Sequence, residues 1–409
     1  MGTAAPDWFA LQPGPIAECV KRGHQRSTWR VALGSERTIF AKMFDDSGKS
    51  LLALWRRWTH NTPAEREWRA SLSLRARGVP VVQPLALGVL RGPQRGFVLL
   101  TKGVDGATNL AQTWSALRTA TSQPSEQSRT NALISTVARL LAVSHERGFA
   151  HPDCHPQNIL VFTSAEGDPA ALFVDVAAGL TAIPSARATG GVSTRRALRS
   201  LAQLDQYFRH SATRAQRLRF WRYYGTLRAS SRNFPTTPHL LPALARESAM
   251  HSAALARQRD RRIRRDGKYF ARLKLGGGWR ATVTLNLERR HLFPEPRVPD
   301  RTAEEWRALL QSVVMSSTSD RQVGCDATIR CVRYRPQGVL ACVIESLVGS
   351  EARRVFERCH RLRHRDIAAP LTLAYCERRG LMGLLRESVL IVPICGGSEG
   401  AEQRERASV

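Results

Sequence analysis

The tightest constraint in this chain is the run His151-Pro-Asp-Cys-His-Pro-Gln-Asn158-Ile-Leu-Val161, followed shortly by Leu172-Phe-Val-Asp175. Asp153 precedes a turn, and Asn158 stands five positions later. Asn158–Phe162 reads as a strand, Ala165-Glu-Gly-Asp-Pro169 as a hairpin turn, and Ala171–Asp175 as a returning strand that ends in a carboxylate. This pattern suits phosphoryl transfer. Asp153 can accept the proton of an acceptor hydroxyl, while Asn158 and Asp175 offer hard oxygen atoms to Mg2+ bridging the phosphates of ATP.

The residues upstream fit that chemistry. Arg26–Leu33 and Arg37–Phe44 read as two strands around Gly34-Ser35. Lys42 lies inside the second, where a buried ammonium requires a partner. Pro63 opens a helix that carries Glu65 and Glu67. Glu67 is the expected partner of Lys42, and Glu65 faces another side of the helix. Trp68 and Leu72 are expected on its inward stripe. Gly23-His-Gln-Arg-Ser27 is expected to cover the phosphates, with Gly23 and Ser27 as nucleotide contacts. Gly96–Thr101 reads as a buried strand, and Lys102–Gly106 as a linker between lobes. Leu133, Val137, Leu140, Leu141 and Ser144 mark a helix leading into the Asp153 loop. His145 is expected at its end, where a cation is favoured. His151 is expected to brace the loop rather than act as a base, and His155 to be a strut. After Asp175, helices follow with Leu198, Leu201, Leu204 and Phe208 on one face, then Leu218, Trp221 and Tyr224.

Composition narrows the partners. Lys and Arg number 62 against 34 Asp and Glu, a net charge of +28. Such an excess favours anionic partners. The eight cysteines form no C-x-x-C pair, so neither a zinc ribbon nor a thioredoxin-like site is expected. Neither a signal peptide nor a run long enough to span a bilayer is legible, which points to the cytoplasm with at most peripheral membrane contact.

Taken together, the Asp153 stretch, Lys42, the Arg66-Glu67-Trp68 helix with Leu74-Arg-Ala-Arg-Gly-Val-Pro80 after it, and the Arg-rich helix with Leu201-Ala-Gln-Leu204 resemble the bacterial lipopolysaccharide core (Kdo/heptose) kinases of the protein-kinase-like superfamily. The resemblance runs roughly from Val20 to Tyr224. The His-x-Asp-x-His-Pro-x-Asn form is shared with aminoglycoside and choline phosphotransferases. The resemblance implies ATP- and Mg2+-dependent phosphorylation of a sugar hydroxyl on a lipopolysaccharide core, at the inner face of the cytoplasmic membrane. It implies Asp153 as catalytic base, Asn158 and Asp175 as metal ligands, and Lys42 as the phosphate-holding lysine paired with Glu67. Three features depart from related patterns. Cys154 stands where the family usually has an apolar residue, and the Gly23–Ser27 turn has a single glycine. Ala177 stands where protein kinases carry the glycine after the metal-binding aspartate.

The rest of the chain contains an internal echo. Leu241–Arg265 reads as a helix ending in a basic cluster able to meet headgroups, and Lys268–Leu275 and Trp279–Asn286 as a hairpin. Leu74–Ala86 then aligns without gaps onto Leu362–Ala374, Trp68 falls on Phe356, and Phe97–Thr101 matches Ser388–Val392. Ala327–Arg333 and Val339–Glu345 are expected as the matching strand pair, with Val355 in place of Glu67 and Ile344 or Glu345 in place of Lys42.

The expected architecture is α+β: a two-lobed protein-kinase-like fold (residues 1–105 and 106–228), a basic connector (229–300), a second degenerate kinase-like N-lobe (301–395) and a disordered tail (396–409). The expected partner is an anionic glycolipid rather than nucleic acid. The competing readings are a small-molecule phosphotransferase and a catalytically silent kinase-like scaffold.

Overall fold

The computed structural model describes residues 17–22, 26–33, 37–45, 58–59, 61–90, 96–119, 124–176, 191–229, 237–286, 301–315, 320–322 and 328–394. Gly23, the Gly34-Ser35 turn, Ala177 and the 396–409 tail lie outside these residues. The chain divides into two compact units, Met1–His251 and Ser252–Val409.

The first unit opens with an antiparallel sheet of strands β1 (Ala17–Arg22), β2 (Arg26–Leu33), β3 (Arg37–Asp45), β4 (Pro84–Leu90) and β5 (Gly96–Lys102), in the order β1-β2-β3-β5-β4. Helix α1 (Pro63–Ala76) lies between β3 and β4 in sequence. Its start is fixed by a capping box: Thr62 Oγ1 accepts from Glu65 N, and the Glu65 carboxylate accepts from Thr62 N at 2.9 Å. Glu65 is thereby committed to the cap, and the helix turns Ala64, Glu67, Ala70, Ser71 and Leu74 inward. Trp68 packs half-buried beside Phe44 and Leu99. Leu72, expected inward, is instead exposed, because the small residues Ala70 and Ser71 let the helix approach on their side.

Past β5, the short strand β6 (Thr108–Asn109) leads into α2 (Leu110–Thr119) and the long α3 (Pro124–Glu146). Strands β7 (Ile159–Thr163) and β8 (Pro169–Phe173) form the expected hairpin, with Ile159 opposite Phe173, and β6 completes a three-stranded sheet. Helices α4 (Thr194–Phe208) and α5 (Arg214–Arg228) follow. Leu133, Val137, Leu141, Leu201, Leu204, Trp221 and Tyr224 share one core cluster with Ile159 and Phe173, so the hairpin is seated on the helices. Leu218 is exposed rather than inward. His145 is not a helix-end cation. It is fully buried against the Tyr224 hydroxyl at 2.7 Å, and burial, helped by the Arg228 charge, lowers its pKa to about 3.

Helix α6 (Thr237–Arg262) contains the division between the units. The second unit is built on a six-stranded antiparallel sheet. Its strands are β9 (Phe270–Gly276), β10 (Trp279–Thr284), β11 (Asp320–Gln322), β12 (Thr328–Tyr334), β13 (Ala374–Arg379) and β14 (Leu385–Ile394), in the order β11-β12-β14-β13-β10-β9. The hairpin expected within a connector is therefore part of this sheet, joined through β10 to β13. Helix α7 (Ala303–Met315) contributes Trp306, Leu310 and Val313 to one core cluster.

Val339–Glu345 is not a strand. It begins helix α8 (Val339–Val348), which is followed by α9 (Glu351–Arg363). A short apolar run has no period of its own to separate helix from strand, and Gly338 and Gly349, both at positive φ, bound it at either end. Ile344 and Glu345, expected on a strand in the place of Lys42, therefore lie on a helix. Leu99 of β5 lies between Leu87 and Lys42, and Leu390 of β14 lies between Tyr375 and Val332. Leu390, Val332 and Val355 share an apolar cluster with Phe356 and Ala352 of α9. The strand order β11-β12-β14-β13, with α9 between β12 and β13, matches β2-β3-β5-β4 with α1 between β3 and β4.

Candidate active site

Two sets of side chains converge in the first unit. From the sheet, Lys42 sits on the central strand β3, paired with Thr28 on one side and Leu99 on the other. Its ammonium meets Glu67 Oε1, whose side chain is only 4% exposed. The same Nζ lies 3.6 Å from Asp175 Oδ1. Glu67 Oε2 is buried and has no hydrogen-bond partner, so Lys42 is what makes an ionised Glu67 tolerable there.

From the helical side, the segment His151–Asn158 is held by four braces. His151, 1% exposed, donates from Nε2 to Val174 O at 3.0 Å and accepts at Nδ1 from Asp153 N at 3.2 Å. This bonding requires the neutral ring with its proton on Nε2, and burial lowers its pKa accordingly. Gln203 of α4 accepts from Cys154 N at 2.8 Å and donates to Pro152 O at 3.0 Å. His155 caps the single 3-10 turn Pro156–Asn158 by accepting from Gln157 N at 3.3 Å, and its ring meets Tyr207 edge-on. Asn158 Nδ2 donates to Asp153 O at 3.0 Å and to Asp153 Oδ2 at 3.3 Å, which leaves Asn158 Oδ1 to face a ligand. Val174 N donates to Asn158 O at 3.0 Å, tying the end of the hairpin to its beginning.

Asp175 follows at φ 58°, a left-handed conformation that costs a non-glycine residue energy and is held by its surroundings. Its carboxylate receives a two-pronged contact from Arg26, Nη1 to Oδ1 at 3.2 Å and Nη2 to Oδ2 at 3.0 Å. Burial opposes its ionisation, but Lys42 and Arg26, with Lys21 further off, outweigh burial and lower its pKa. Lys21, Arg26 and Lys42 thus surround Asp175 with positive charge, while Asp153 stands exposed on the loop.

The structure brings together Lys42, Glu67, Asp153, Asn158 and Asp175. Ser27 behaves differently: it is buried, and its hydroxyl accepts from Trp29 Nε1 at 3.0 Å, so the side chain that reaches the carboxylates from this segment is Arg26. Reasoning from sequence missed Arg26 and Gln203.

Asp175 and Asn158 fit a hard divalent cation. They supply oxygen atoms, and Asp175 already attracts a cationic partner in Arg26. Among the described residues there is no cluster of three or more His, Cys, Asp or Glu side chains able to hold a metal.

Residues 20–224 match the lipopolysaccharide kinase (Kdo/WaaP) family, and the chain belongs to it. It is a kinase. Among solved structures it is similar to WaaP in complex with acyl carrier protein, with 22% identity over 59% of this chain and 90% of that one, at a TM-score of 0.40. The BubR1 kinase domain is 13% identical over 57% of this chain and 79% of that one, with a TM-score of 0.36. The kinase domain of Mycobacterium tuberculosis PknI is 17% identical over 56% and 94%, with a TM-score of 0.32. No curated protein matches in sequence.

Proposed function

We propose that this kinase transfers the γ-phosphoryl group of ATP to a hydroxyl of Kdo or heptose on a lipopolysaccharide core, working in the cytoplasm against the inner face of the membrane. The observation that carries the reading is the convergence of Asp153, Asn158 and Asp175 with the Lys42–Glu67 pair, in a chain of this family.

Each residue then has a task. Asp153 orients the acceptor hydroxyl and takes its proton as the new phosphate ester forms. Lys42, kept in place by Glu67, holds donor phosphate oxygens. Asn158 Oδ1 and the Asp175 carboxylate would hold Mg2+, which when bound neutralises phosphate charge. Arg26 must then leave Asp175, and its guanidinium is free to contact phosphate oxygens. His151 and Gln203 fix the loop, so most of the rate enhancement would come from positioning and charge neutralisation.

A glycolipid acceptor is supported by two features. Only a short connection separates Val176 from Thr194, which leaves little room for a peptide-docking platform. The net charge of +28, with Lys21, Arg26 and Lys42 around the site, suits a phosphorylated anionic glycan and opposes a cationic aminoglycoside.

We read the second unit as a degenerate small lobe. Its support is the shared strand order and register, with Val332 and Val355 where the first unit has Lys42 and Glu67. An apolar pair can replace an ion pair without loss of the fold.

The test is transfer of labelled phosphate from ATP, with Mg2+, to a truncated lipopolysaccharide core, beside Asp153→Asn. Label in the glycolipid with wild type only supports the reading. A folded wild-type protein that labels aminoglycosides or nothing overturns it.

A further inference from the structure

Helix α8 is built inside out. Of its ten residues only Glu345 is charged, yet none is buried. Val339, Leu340 and Leu347 are 78%, 75% and 83% exposed, and Val343, Ile344 and Val348 are also open to solvent. At 100° per residue these six occupy one half of the helix circumference. Ala341, Cys342, Glu345 and Ser346 occupy the other half, toward the protein. A water-facing helix normally has the opposite arrangement.

The helix is nonetheless fixed in place. Ser346 Oγ accepts from Leu385 N at 2.7 Å, and Ser346 O accepts from Arg379 Nη1 at 3.4 Å. Gly349 N closes its end on Glu345 O at 3.0 Å. These bonds tie it to the β13–β14 turn, where Met382 stands 93% exposed at φ 62°. Cations border the surface. Arg379 bridges Ser346 O and Gly383 O and pairs with Glu377 at 3.2 Å, the Arg386 guanidinium lies over Gly380, and Arg335, 75% exposed and 3.5 Å from Glu387, precedes the helix.

A fixed apolar face with an arginine border matches the boundary of an anionic bilayer, where apolar side chains enter the acyl region and guanidinium groups meet phosphates. The patch is small for a protein partner. The helix is about 15 Å long, and its seven apolar side chains, Met382 included, fall short of the roughly 20–30 residues per side of a stable protein interface. We propose that α8 and the β13–β14 turn form a docking face that inserts into an anionic phospholipid surface. This face deepens the membrane location proposed above by supplying the surface that makes the contact; it lies outside residues 20–224 and uses neither ATP nor the sugar acceptor.

The test is co-flotation of the full chain with phosphatidylcholine vesicles, with and without one-third phosphatidylglycerol. Wild type should float with the anionic vesicles and much less with the neutral ones. Leu340→Glu/Leu347→Glu should partition about a hundredfold more weakly. Leu340→Asn/Leu347→Asn should also lose binding, which separates lost apolar contact from charge repulsion. Both leucines are exposed, so thermal melts should match wild type. The proposal is overturned if folded variants float like wild type or if wild type ignores the anionic vesicles. It is equally overturned if sedimentation shows a dimer that the substitutions dissociate, since a second copy then covers the face. Phosphate transfer is scored separately: a wild type that floats but labels no glycolipid supports the docking face and counts against the proposed acceptor.

Discussion

Arg26 and Asp175 face each other across the cleft in a two-pronged contact, with Nη1–Oδ1 at 3.2 Å and Nη2–Oδ2 at 3.0 Å. A guanidinium in that position neutralises the carboxylate that a divalent ion would use. The two cations compete for Asp175, so Arg26→Gln should bind Mn2+ roughly threefold to tenfold more tightly in the presence of ATP. Titration of the Mn2+ spin-resonance signal reads this directly. Unchanged or weaker binding would show that Arg26 does not hold the site against metal.

The Lys42–Glu67 pair carries a stability prediction of its own. Removing one partner strands a buried charge, so Lys42→Met should lower unfolding stability by about 3–5 kcal/mol. Lys42→Met/Glu67→Leu should recover much of that loss, since an apolar pair removes both buried charges at once. Urea unfolding of the three proteins tests this, and a double variant no more stable than the single one contradicts it.

Gln203 touches two backbone groups of the Asp153 loop and no other described site residue. Gln203→Leu should therefore lower kcat about 10- to 100-fold through misplacement of Asp153. The KM for ATP should change little. A variant that raises KM with kcat intact would assign Gln203 to nucleotide binding instead.

Ser27 should behave as a core residue. Ser27→Ala leaves the buried Trp29 indole N–H without its acceptor, at a cost of about 1–3 kcal/mol. Turnover per folded molecule should stay at the wild-type level. A selective rise in KM for ATP would restore Ser27 to the phosphate site.

Buried histidines contribute to the acid limb of stability, His145 and His360 with large shifts. Burial, with Arg228 nearby, lowers the pKa of His145 from 6.5 to about 3, and burial, with His364 nearby, lowers that of His360 to about 3. Between these values the unfolded chain binds a proton that the folded chain refuses. Stability contributed by the neutral rings is thus complete above about pH 6.5 and falls as pH drops, by up to about 1.4 kcal/mol per unit per histidine. His145→Asn and His360→Asn should each be less stable at pH 7 but show a flatter decline toward pH 5. Urea unfolding at both pH values checks the slopes.

The local structure of the His151–Asp175 stretch was legible because its polar residues lie at short, fixed intervals, and Asp153, Asn158 and Asp175 sit on one turn and one hairpin. Lys42 was legible as a charge within an apolar strand, and Glu67 as its partner because Glu65 faces another side of the helix. Arg26 and Gln203 left no such mark. One is a single arginine in an arginine-rich chain, and the other lies 49 residues from the amide it braces, so only tertiary structure gives either a meaning. Helix α8 was misread for a related reason. An apolar run between two glycines was taken for a core strand, whereas the unit turns its apolar half outward.

His151 connects two parts of the cleft that are usually considered separately. Its ring joins the amide of Asp153 to the carbonyl just before Asp175, so the two carboxylates share one rigid mounting. Among the described residues, the side chains that reach Asp175 from the sheet are, by contrast, the flexible tips of Arg26 and Lys42. If those tips let go, the backbone bonds of Phe173 to Pro80 and Val82 remain, so the sheet side can open only by turning about that hinge. The spacing between Asp153 and Asp175, set through His151, is unaffected by that opening.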